Sequence, residues 1–549
     1  MSIEEQILHI PMRDGIELVA SLWLPDDPDP VPLVLVRTPY RRSVVGQDFR
    51  NVGVTEHGYA LVIQDARGTG DSPGQPEFFL NEADDGYDTI EWLATQPWCN
   101  GRVGMMGMSY HATAQWLAAR KRPAHLRCII PMSPAGNMPD SIPSLGGAFM
   151  PSFATFFSAL HGMADPEVQK LLLNHRPLAD LDRAVGHRLP MLRNFLEHPT
   201  LDDFWRPLRF SPADYADINI PVLTIAGWFD ETLIGTTAYW EGLNAHSVDI
   251  ERHLIIGPWT HATVIWGGET TLGDFTFGAD GVIDVNDLHL WFLDRHLRGI
   301  RGADRPRARI FITGANKWRD LDRYPPPAIG VGRLYLHSSG NANSLEGDGW
   351  LDQEAPAIEP PDRYIFDPER PVLTKPDEVG VLNHRGRDQR YIEERSDVLV
   401  YTTAPLEEPL EIIGHVHVEL HAATDGRDTD FTARLLDVLP DGRALQLGPW
   451  SCGGVIRARY RNGGEREELV TPDAVIKYRI DLRHIGHRFL PSHRVRIEIS
   501  SSYAPQIRPN PNTGNPLPTD VDVRRARQTI HHTTEAPSAL VFPVGPTGR

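Results

Sequence analysis

The sequence has few cysteines and an excess of acidic residues, and it contains no long apolar run. Its 3 cysteines lie far apart with no C-x-x-C spacing, which argues against a disulfide framework or a zinc site. Lysine and arginine number 54 against 73 aspartates and glutamates, and the net charge of −19 argues against nucleic-acid and anionic-membrane partners. No run reaches the roughly 18 apolar residues of a membrane span.

The N-terminal residues, MSIEEQILHIPMRDG, lack the basic start and the apolar segment of a signal peptide, so a cytoplasmic location is expected. A chain of 549 residues is too long for one hydrophobic core, and two or three domains are expected. The 47 glycines and 47 prolines favour many turns and some all-β structure. No metal or organic cofactor is implied, and a homo-oligomer remains open.

Short apolar strands alternate with helical patterns in two parts of the chain, and this alternation predicts a doubly wound parallel sheet of the α/β class. In the first part a hairpin over residues 5–24 precedes such strands. The first part of this domain covers residues 1–136, and the pattern resumes over residues 213–322. Between them, residues 137–212 read as consecutive helices without a strand, which predicts an inserted helical cap.

The C-terminal part of the chain has a different pattern. Pro325, Pro326 and Pro327 mark a linker, and helical patterns stop near residue 322. Residues 414–422 and 493–500 alternate between apolar and polar side chains, as strands with one buried face do. Residues 323–549 are therefore predicted to form an all-β sandwich or jelly roll.

The most informative segment is GRVGMMGMSYHATAQWLAARK, residues 101–121, in which an apolar strand meets a helix at Ser109. A sharp turn at this point would strain the serine backbone and expose its Oγ at the carboxyl end of the sheet. Gly107 leaves room for the turn, and Ala112 allows close packing, although His111 occupies the last position of the G-x-S-x-G signature. The alternative is an ordinary helix N-cap serine.

A nucleophilic serine needs a base and a carboxylate that orients the base. Asp230 follows one predicted strand and His261 follows the next, in the chain order Ser, Asp, His of doubly wound hydrolases. His111 and His253 are weaker candidates for the base, since the first starts the elbow helix and the second precedes its strand.

Two acidic residues, Asp65 and Asp71, precede the serine in the chain and are expected to hold loops. The backbone N–H of Tyr110 is one expected oxyanion donor. The loop that usually supplies the second donor reads Arg37-Thr38-Pro39-Tyr40 and has no glycine, so the Tyr40 hydroxyl is either the second donor or a packing aromatic.

Four phenylalanines of the predicted cap share one helical face, which is either the buried face of the cap or a surface for substrate; the two interpretations are compatible. The candidate substrate-pocket residues are Phe149, Phe153, Phe156, Phe157, Trp228, Glu231 and Thr232.

Five motifs occur in order: RTPY, QDARGTGDSPG, WCNGRVGMMGMSY, AGWFD and GPWTH. Together with DTDFTARLLDVLPDGRA and SSSYAPQIRPNPNTG, they resemble the cocaine esterase branch of the X-Pro dipeptidyl-peptidase and α-amino-acid ester hydrolase superfamily. The resemblance implies an α/β-hydrolase domain with a helical cap and a C-terminal jelly roll. It also implies Ser109 as nucleophile with Asp230 and His261, and an oxyanion hole formed by the Tyr40 hydroxyl and the Tyr110 N–H.

The sequence departs from the family at three places. Ala112 replaces a usual glycine, only Glu231 supplies an acid just after Asp230, and an N-terminal domain of the related peptidases is missing. The preferred hypothesis is therefore a serine carboxylesterase for a small hydrophobic or aromatic ester. The alternatives are an amidase of the same superfamily, either an X-Pro dipeptidyl-peptidase or a β-lactam acylase, and a non-enzymatic binding protein.

Overall fold

The computed structural model describes residues 4–27, 29–151, 153, 166–247, 249–374, 387–448 and 453–545. The helices are α1 (Arg42–Arg50), α2 (Glu82–Ala94), α3 (Tyr110–Arg120), α4 (Pro166–Asn174), α5 (Leu181–Val185), α6 (Pro190–Glu197), α7 (Pro212–Asp217), α8 (Leu233–His246), α9 (Val285–Leu293) and α10 (Arg390–Glu393).

Strands of the N-terminal part are β1 (Gln6–Pro11), β2 (Glu17–Trp23), β3 (Val31–Thr38), β4 (Ala60–Asp65), β5 (Cys99–Met108), β6 (Leu126–Met132), β7 (Ser144–Leu145), β8 (Ala148–Phe149), β9 (Val222–Phe229), β10 (Arg252–Thr260), β11 (Thr271–Leu272), β12 (Phe275–Thr276), β13 (Ala308–Ile312) and β14 (Lys317–Leu321). Strands of the C-terminal part are β15 (Gly330–His337), β16 (Trp350–Asp352), β17 (Asp362–Phe366), β18 (Leu399–Thr402), β19 (Leu410–Thr424), β20 (Asp430–Val438), β21 (Ala444–Gln446), β22 (Gly454–Arg457), β23 (Ile476–Phe489), β24 (Arg494–Ser500), β25 (Ala526–His531) and β26 (Ala539–Val544).

The first sheet has 10 strands in the order β1-β2-β4-β3-β5-β6-β9-β10-β13-β14. Its central strands from β4 to β13 are parallel, and the edge strands β1, β2 and β14 pair antiparallel. Strands β3, β4, β9 and β10 are buried along their whole length, as expected of parallel strands covered on both faces. This is the α/β-hydrolase fold that the sequence predicted.

Helices cover both faces of this sheet. Residues of α2, α3 and α8 pack in the core on one face, and residues of α1 and α9 pack on the other. Between β8 and β9 the described residues form short helices, α4 to α7. The sequence-based expectation of no strand in this region was wrong in one detail, because β7 and β8 form a two-residue hairpin that lies against β22.

The second sheet system contains the 12 strands from β15 to β26, as predicted for the C-terminal domain, and its apolar core is continuous with residues of β9, β10 and β13. Trp228 of β9 belongs to this same core, and its ring faces Gly486 of β23. A Cβ on Gly486 would lie 2.6 Å from the Trp228 ring, so the close approach of the two domains requires glycine there. None of the helices in the described part of the chain could span a membrane.

Two carboxyl groups, of Glu393 in α10 and Glu498 in β24, are buried together in the C-terminal domain. Arg496 donates to Glu393 at 2.6 Å, and the Arg434 guanidinium lies against the Glu498 carboxyl group. Burial, together with the neighbouring Glu393, raises the pKa of Glu498 to about 8 despite the two arginines. Between the pKa of an unfolded glutamate and about 8, the folded protein therefore binds a proton that the unfolded chain releases.

The free energy of unfolding is therefore expected to fall as the pH rises toward 8, by at most about 1.4 kcal/mol per pH unit for one proton. Glu498→Gln should remove this fall, because an amide stays neutral. Urea unfolding of both proteins at about pH 6 and about pH 8 measures the difference. The exposed Glu407→Gln serves as control and should behave like the wild type. An unchanged slope in Glu498→Gln would contradict the expectation.

Candidate active site

Ser109 lies at the turn between β5 and α3 with a φ of 63° and a ψ of −120°. A non-glycine residue rarely adopts this conformation, and such strain is typical of functional sites. Gly107 is required beside it, because its φ is +134° and a Cβ there would lie 2.6 Å from His111 Cβ. The strained strand-turn-helix conformation predicted from the sequence is therefore confirmed.

Asp230 and His261 follow the neighbouring parallel strands β9 and β10, in which Phe229 pairs with Thr260. The parallel pairing brings both side chains to the carboxyl edge of the sheet, where β5 also delivers Ser109. His261 Nδ1 lies 3.0 Å from Asp230 Oδ1 and 3.1 Å from Oδ2. This geometry lets the carboxylate orient the imidazole.

The Asp230 carboxylate is completely buried, and Thr232 holds it in place. The Thr232 N–H donates to Asp230 Oδ1 at 2.8 Å, and its hydroxyl lies 2.8 Å from the same oxygen and 3.0 Å from the Ser133 carbonyl oxygen. Burial alone would raise the pKa of Asp230, but the charge and hydrogen bond of His261 and the hydrogen bonds from Ser133 and Thr232 hold that pKa below its usual value. Asp230 is therefore ionised at neutral pH.

The Tyr40 side chain, after β3, lies at the Ser109 turn. Burial raises the pKa of its hydroxyl, and hydrogen bonds with the Ser109 side chain and the Tyr110 backbone N–H act in the opposite direction. The Tyr110 ring is buried elsewhere: it stacks on Phe79 with centroids 4.2 Å apart, and its hydroxyl donates to Glu82 at 3.0 Å. The Tyr40 hydroxyl thus lies near the Ser109 side chain and the Tyr110 backbone.

The weaker candidates for the catalytic acid and base are Asp65, His253 and His111, and each has contacts of its own. Asp65 Oδ1 accepts from the Arg42 N–H at 2.6 Å and Oδ2 accepts from the Asp71 N–H at 3.0 Å, so the expectation that Asp65 holds a loop is confirmed. His253 is the second residue of β10, so it lies at the amino edge of the sheet, where its Nδ1 is 2.8 Å from the Pro306 carbonyl oxygen. His111 is buried, with Nε2 3.0 Å from Thr38 Oγ1.

The predicted pocket residues do not share one surface. Phe149 is fully buried and stacks on Phe195 with centroids 5.2 Å apart. Trp228 is 2% exposed, and its indole N–H donates to the Phe311 carbonyl at 2.6 Å. Both are core residues, so the expectation that they line the pocket is corrected. Phe149 is buried because it packs inside the cap, and Trp228 is buried because it packs against the C-terminal domain.

Of the remaining candidates, Phe153 is partly buried against two hydrophobic cores, and Glu231 is partly exposed next to Asp230. Thr232 is buried, and its hydroxyl is hydrogen-bonded to the Asp230 carboxylate. Phe156 and Phe157 lie outside the described residues.

A cleft of about 600 Å³ lies next to the Tyr40 loop, between the catalytic domain and the cap. Its lining is mixed: the charged residues Arg41, Glu77 and Arg188 line it together with five apolar residues, Pro39, Phe78, Leu80, Pro190 and Phe204. The Phe78 ring packs edge-on against the Tyr110 ring with centroids 6.4 Å apart, which places the cleft beside the serine turn. Sequence reasoning missed these residues because they come from four separate segments without a shared pattern.

The fold and the arrangement around Ser109 define a hydrolase of the α/β-hydrolase class. Residues 14–263 match the X-Pro dipeptidyl-peptidase (S15 family), and residues 301–541 match the X-Pro dipeptidyl-peptidase C-terminal non-catalytic domain. The chain is 33% identical to the cocaine esterase of Rhodococcus sp. (strain MB1 Bresler) over 97% of each chain. The chain therefore belongs to the S15 family, as its motifs indicated.

Two solved structures extend this similarity. An aminopeptidase from a marine sediment Thaumarchaeota archaeon is 26% identical, with a TM-score of 0.86 over 99% of this chain and 96% of that one. An α-amino acid ester hydrolase is also 26% identical, with a TM-score of 0.82 over 98% and 96% of the two chains.

Proposed function

We propose that the protein is a serine carboxylesterase that acts through an acyl-enzyme on a small hydrophobic or aromatic ester. The observation that carries the proposal is the strained turn at Ser109, with the Tyr40 ring packed against the residues that follow the serine. The hydrogen-bonded pair of Asp230 and His261 lies at the same edge of the sheet. A nucleophile, a base with its orienting carboxylate, and two oxyanion donors are the parts that acyl transfer needs.

In the proposed mechanism, His261 takes the proton of the Ser109 hydroxyl while Oγ attacks the ester carbonyl. The negative oxygen of the tetrahedral intermediate accepts hydrogen bonds from the Tyr40 hydroxyl and the Tyr110 N–H. His261 then gives its proton to the leaving alcohol as the C–O bond breaks. Water, deprotonated by the same histidine, attacks the acyl-enzyme and releases the carboxylic acid together with free Ser109.

The apolar residues in the cleft beside Tyr40, such as Phe78 and Phe204, offer contacts to a hydrophobic acyl or alcohol group, although charged residues line the same cleft. The similarity to the cocaine esterase of Rhodococcus sp. extends over nearly the whole chain and supports an ester as the reacting group. One of the similar structures is that of an aminopeptidase, so the controls include an amide and a substrate with a free amine.

Hydrolysis of matched phenylacetyl and benzoyl substrates, each as ester and amide, tests the proposal. Gly-Pro-p-nitroanilide is added for peptidase activity, and Ser109→Ala is the blank. The expected result is ester turnover that depends on Ser109, with slow or no turnover of the amides and of Gly-Pro-p-nitroanilide. Cleavage of Gly-Pro-p-nitroanilide faster than of the esters would overturn the esterase proposal in favour of a dipeptidyl-peptidase.

Tyr40→Phe is expected to lower kcat by about 10²–10³-fold, because it removes one of the two proposed oxyanion donors and keeps the ring. KM should change little, since the hydrogen bond is made most strongly to the transition state. Steady-state kinetics on the best ester measures this, and the melting temperature reports whether the fold is kept. An unchanged kcat would remove Tyr40 from the mechanism.

A further inference from the structure

His111 is a buried histidine for which the proposed mechanism has no chemical step. It lies in the first turn of α3, two residues after Ser109, and is 6% exposed. Its ring packs edge-on against two rings, that of Tyr40 with centroids 5.3 Å apart and that of Phe49 with centroids 5.1 Å apart. The histidine thus connects the serine turn with the loop that carries the proposed oxyanion donor.

A hydrogen-bonded chain makes a second connection to the same loop. His111 Nε2 lies 3.0 Å from Thr38 Oγ1, and the Tyr40 backbone N–H donates to that oxygen, also at 3.0 Å. Thr38 is completely buried, so water does not compete for these bonds. With one lone pair occupied by the Tyr40 N–H, the Thr38 hydroxyl can donate its own proton to Nε2.

The ring of His111 is neutral at neutral pH. Burial lowers the pKa of His111 to about 4, and the Met108 backbone, which favours the protonated ring, opposes this only in part. A neutral ring has one nitrogen that accepts and one that donates. Either ring nitrogen can carry the proton of the neutral ring, and in both cases Nε2 is hydrogen-bonded to Thr38 Oγ1.

We propose that His111 is a positioning residue that holds Tyr40, through its ring and through Thr38, so that the Tyr40 hydroxyl stays beside Ser109. The inference rests on the proposed function, because it gives a role to the oxyanion donor. Oxyanion donors work only when held at the site of the developing charge, and a small displacement from that site has a large kinetic effect. A histidine that served only as core packing would have no preferred link to Tyr40.

A double-mutant cycle of His111→Leu and Tyr40→Phe tests this link. We expect His111→Leu alone to lower kcat by about tenfold or more with KM within about twofold. In the Tyr40→Phe background, the same substitution should lower kcat by less than about twofold, because there is no longer a hydroxyl to position. Equal losses in both backgrounds, or no loss in the wild-type background, would overturn the proposal.

A matched control separates positioning from the general effect of removing a buried histidine. His289 in α9 is also buried, its pKa is also lowered to about 4, and it lines a small cavity beside Met106 and Met108 of β5. His289→Leu should lower the melting temperature and leave kcat within about twofold of the wild type. A loss of kcat equal to that of His111→Leu would assign the effect to general packing and overturn the proposal.

If His111→Leu does not fold, Thr38→Val and Thr38→Ser carry the same test. Valine keeps the volume but loses the hydroxyl that joins Tyr40 to His111, whereas serine keeps it. Thr38→Val should lower kcat in the wild-type background only, and Thr38→Ser should restore most of it. Equal rates for the two variants would overturn the proposal.

The two proposals fail in different ways. Turnover that survives Ser109→Ala contradicts the serine esterase itself. A different set of results contradicts only the role of His111. In that case Ser109→Ala is inactive and Tyr40→Phe has a lowered kcat, but His111→Leu lowers kcat equally with and without the Tyr40 hydroxyl.

Discussion

Replacing Ser109 with alanine is expected to lower kcat for ester hydrolysis on the order of 10⁶-fold, because the variant cannot form an acyl-enzyme. The variant keeps the strained φ of 63° at this position, because alanine disfavours a positive φ as serine does. The fold should therefore persist with similar stability. The measurements are kcat on the best ester and mass spectrometry after treatment with a phosphonate inhibitor. The wild type should gain one phosphonate at Ser109, and the variant should gain none.

The control is Ser211→Ala, which removes the N-cap hydroxyl of α7 and lies outside the proposed site. It should cost about 1 kcal/mol of stability and leave kcat unchanged. If the wild type is labelled at another serine, or if Ser109→Ala keeps more than about one hundredth of the activity, Ser109 is not the nucleophile.

Asp230→Asn is expected to lower kcat by about 10⁴-fold with little change in the fold. The amide keeps the size of the side chain but cannot stabilise the His261 imidazolium, and it favours the wrong tautomer of the ring. Asp230 is completely buried, so no water would replace the lost charge. Steady-state kinetics over a range of pH measures the loss, and the serine inhibitor should label the variant more slowly than the wild type.

Thr232→Val provides a graded comparison for this prediction. It removes the hydroxyl 2.8 Å from Asp230 Oδ1 but keeps the backbone N–H that donates to the same oxygen. The loss in kcat should therefore be much smaller, about tenfold. If Asp230→Asn reduced kcat no more than Thr232→Val does, the carboxylate would have no charge-dependent role.

Local patterns were sufficient to predict the fold class and the sharp turn at Ser109. A continuous apolar run such as residues 31–36 would expose apolar side chains to water if either face were uncovered, so it predicts a parallel strand covered on both faces. The glycine at 107 and the serine at 109 between a strand and a helix predict the sharp turn, because the geometry depends on only a few consecutive residues. Asp230 and His261 followed from their positions directly after two such strands.

The substrate surface was not predictable in the same way. A helical face of phenylalanines indicates burial but not the partner against which it is buried, and Phe149 packs on Phe195 in the cap. Thr232 was expected on the pocket wall, yet a turn of two residues directs its hydroxyl to Asp230. The aromatic walls of the cleft, Phe78 and Phe204, carry no periodicity that relates them to each other.

The amino-acid sequence by itself determined the α/β-hydrolase class, the C-terminal β domain, the serine turn and the order of the three proposed catalytic residues, because each depends on short-range periodicity or on adjacency to a strand end. Only the tertiary structure decided which donors meet at Ser109 and what supports them. The contacts of His111 with Tyr40 and Thr38 join residues 71 to 73 positions apart in the chain. Such contacts arise from the order of strands in the sheet, and strand order is set by the packing of the whole domain rather than by any local pattern.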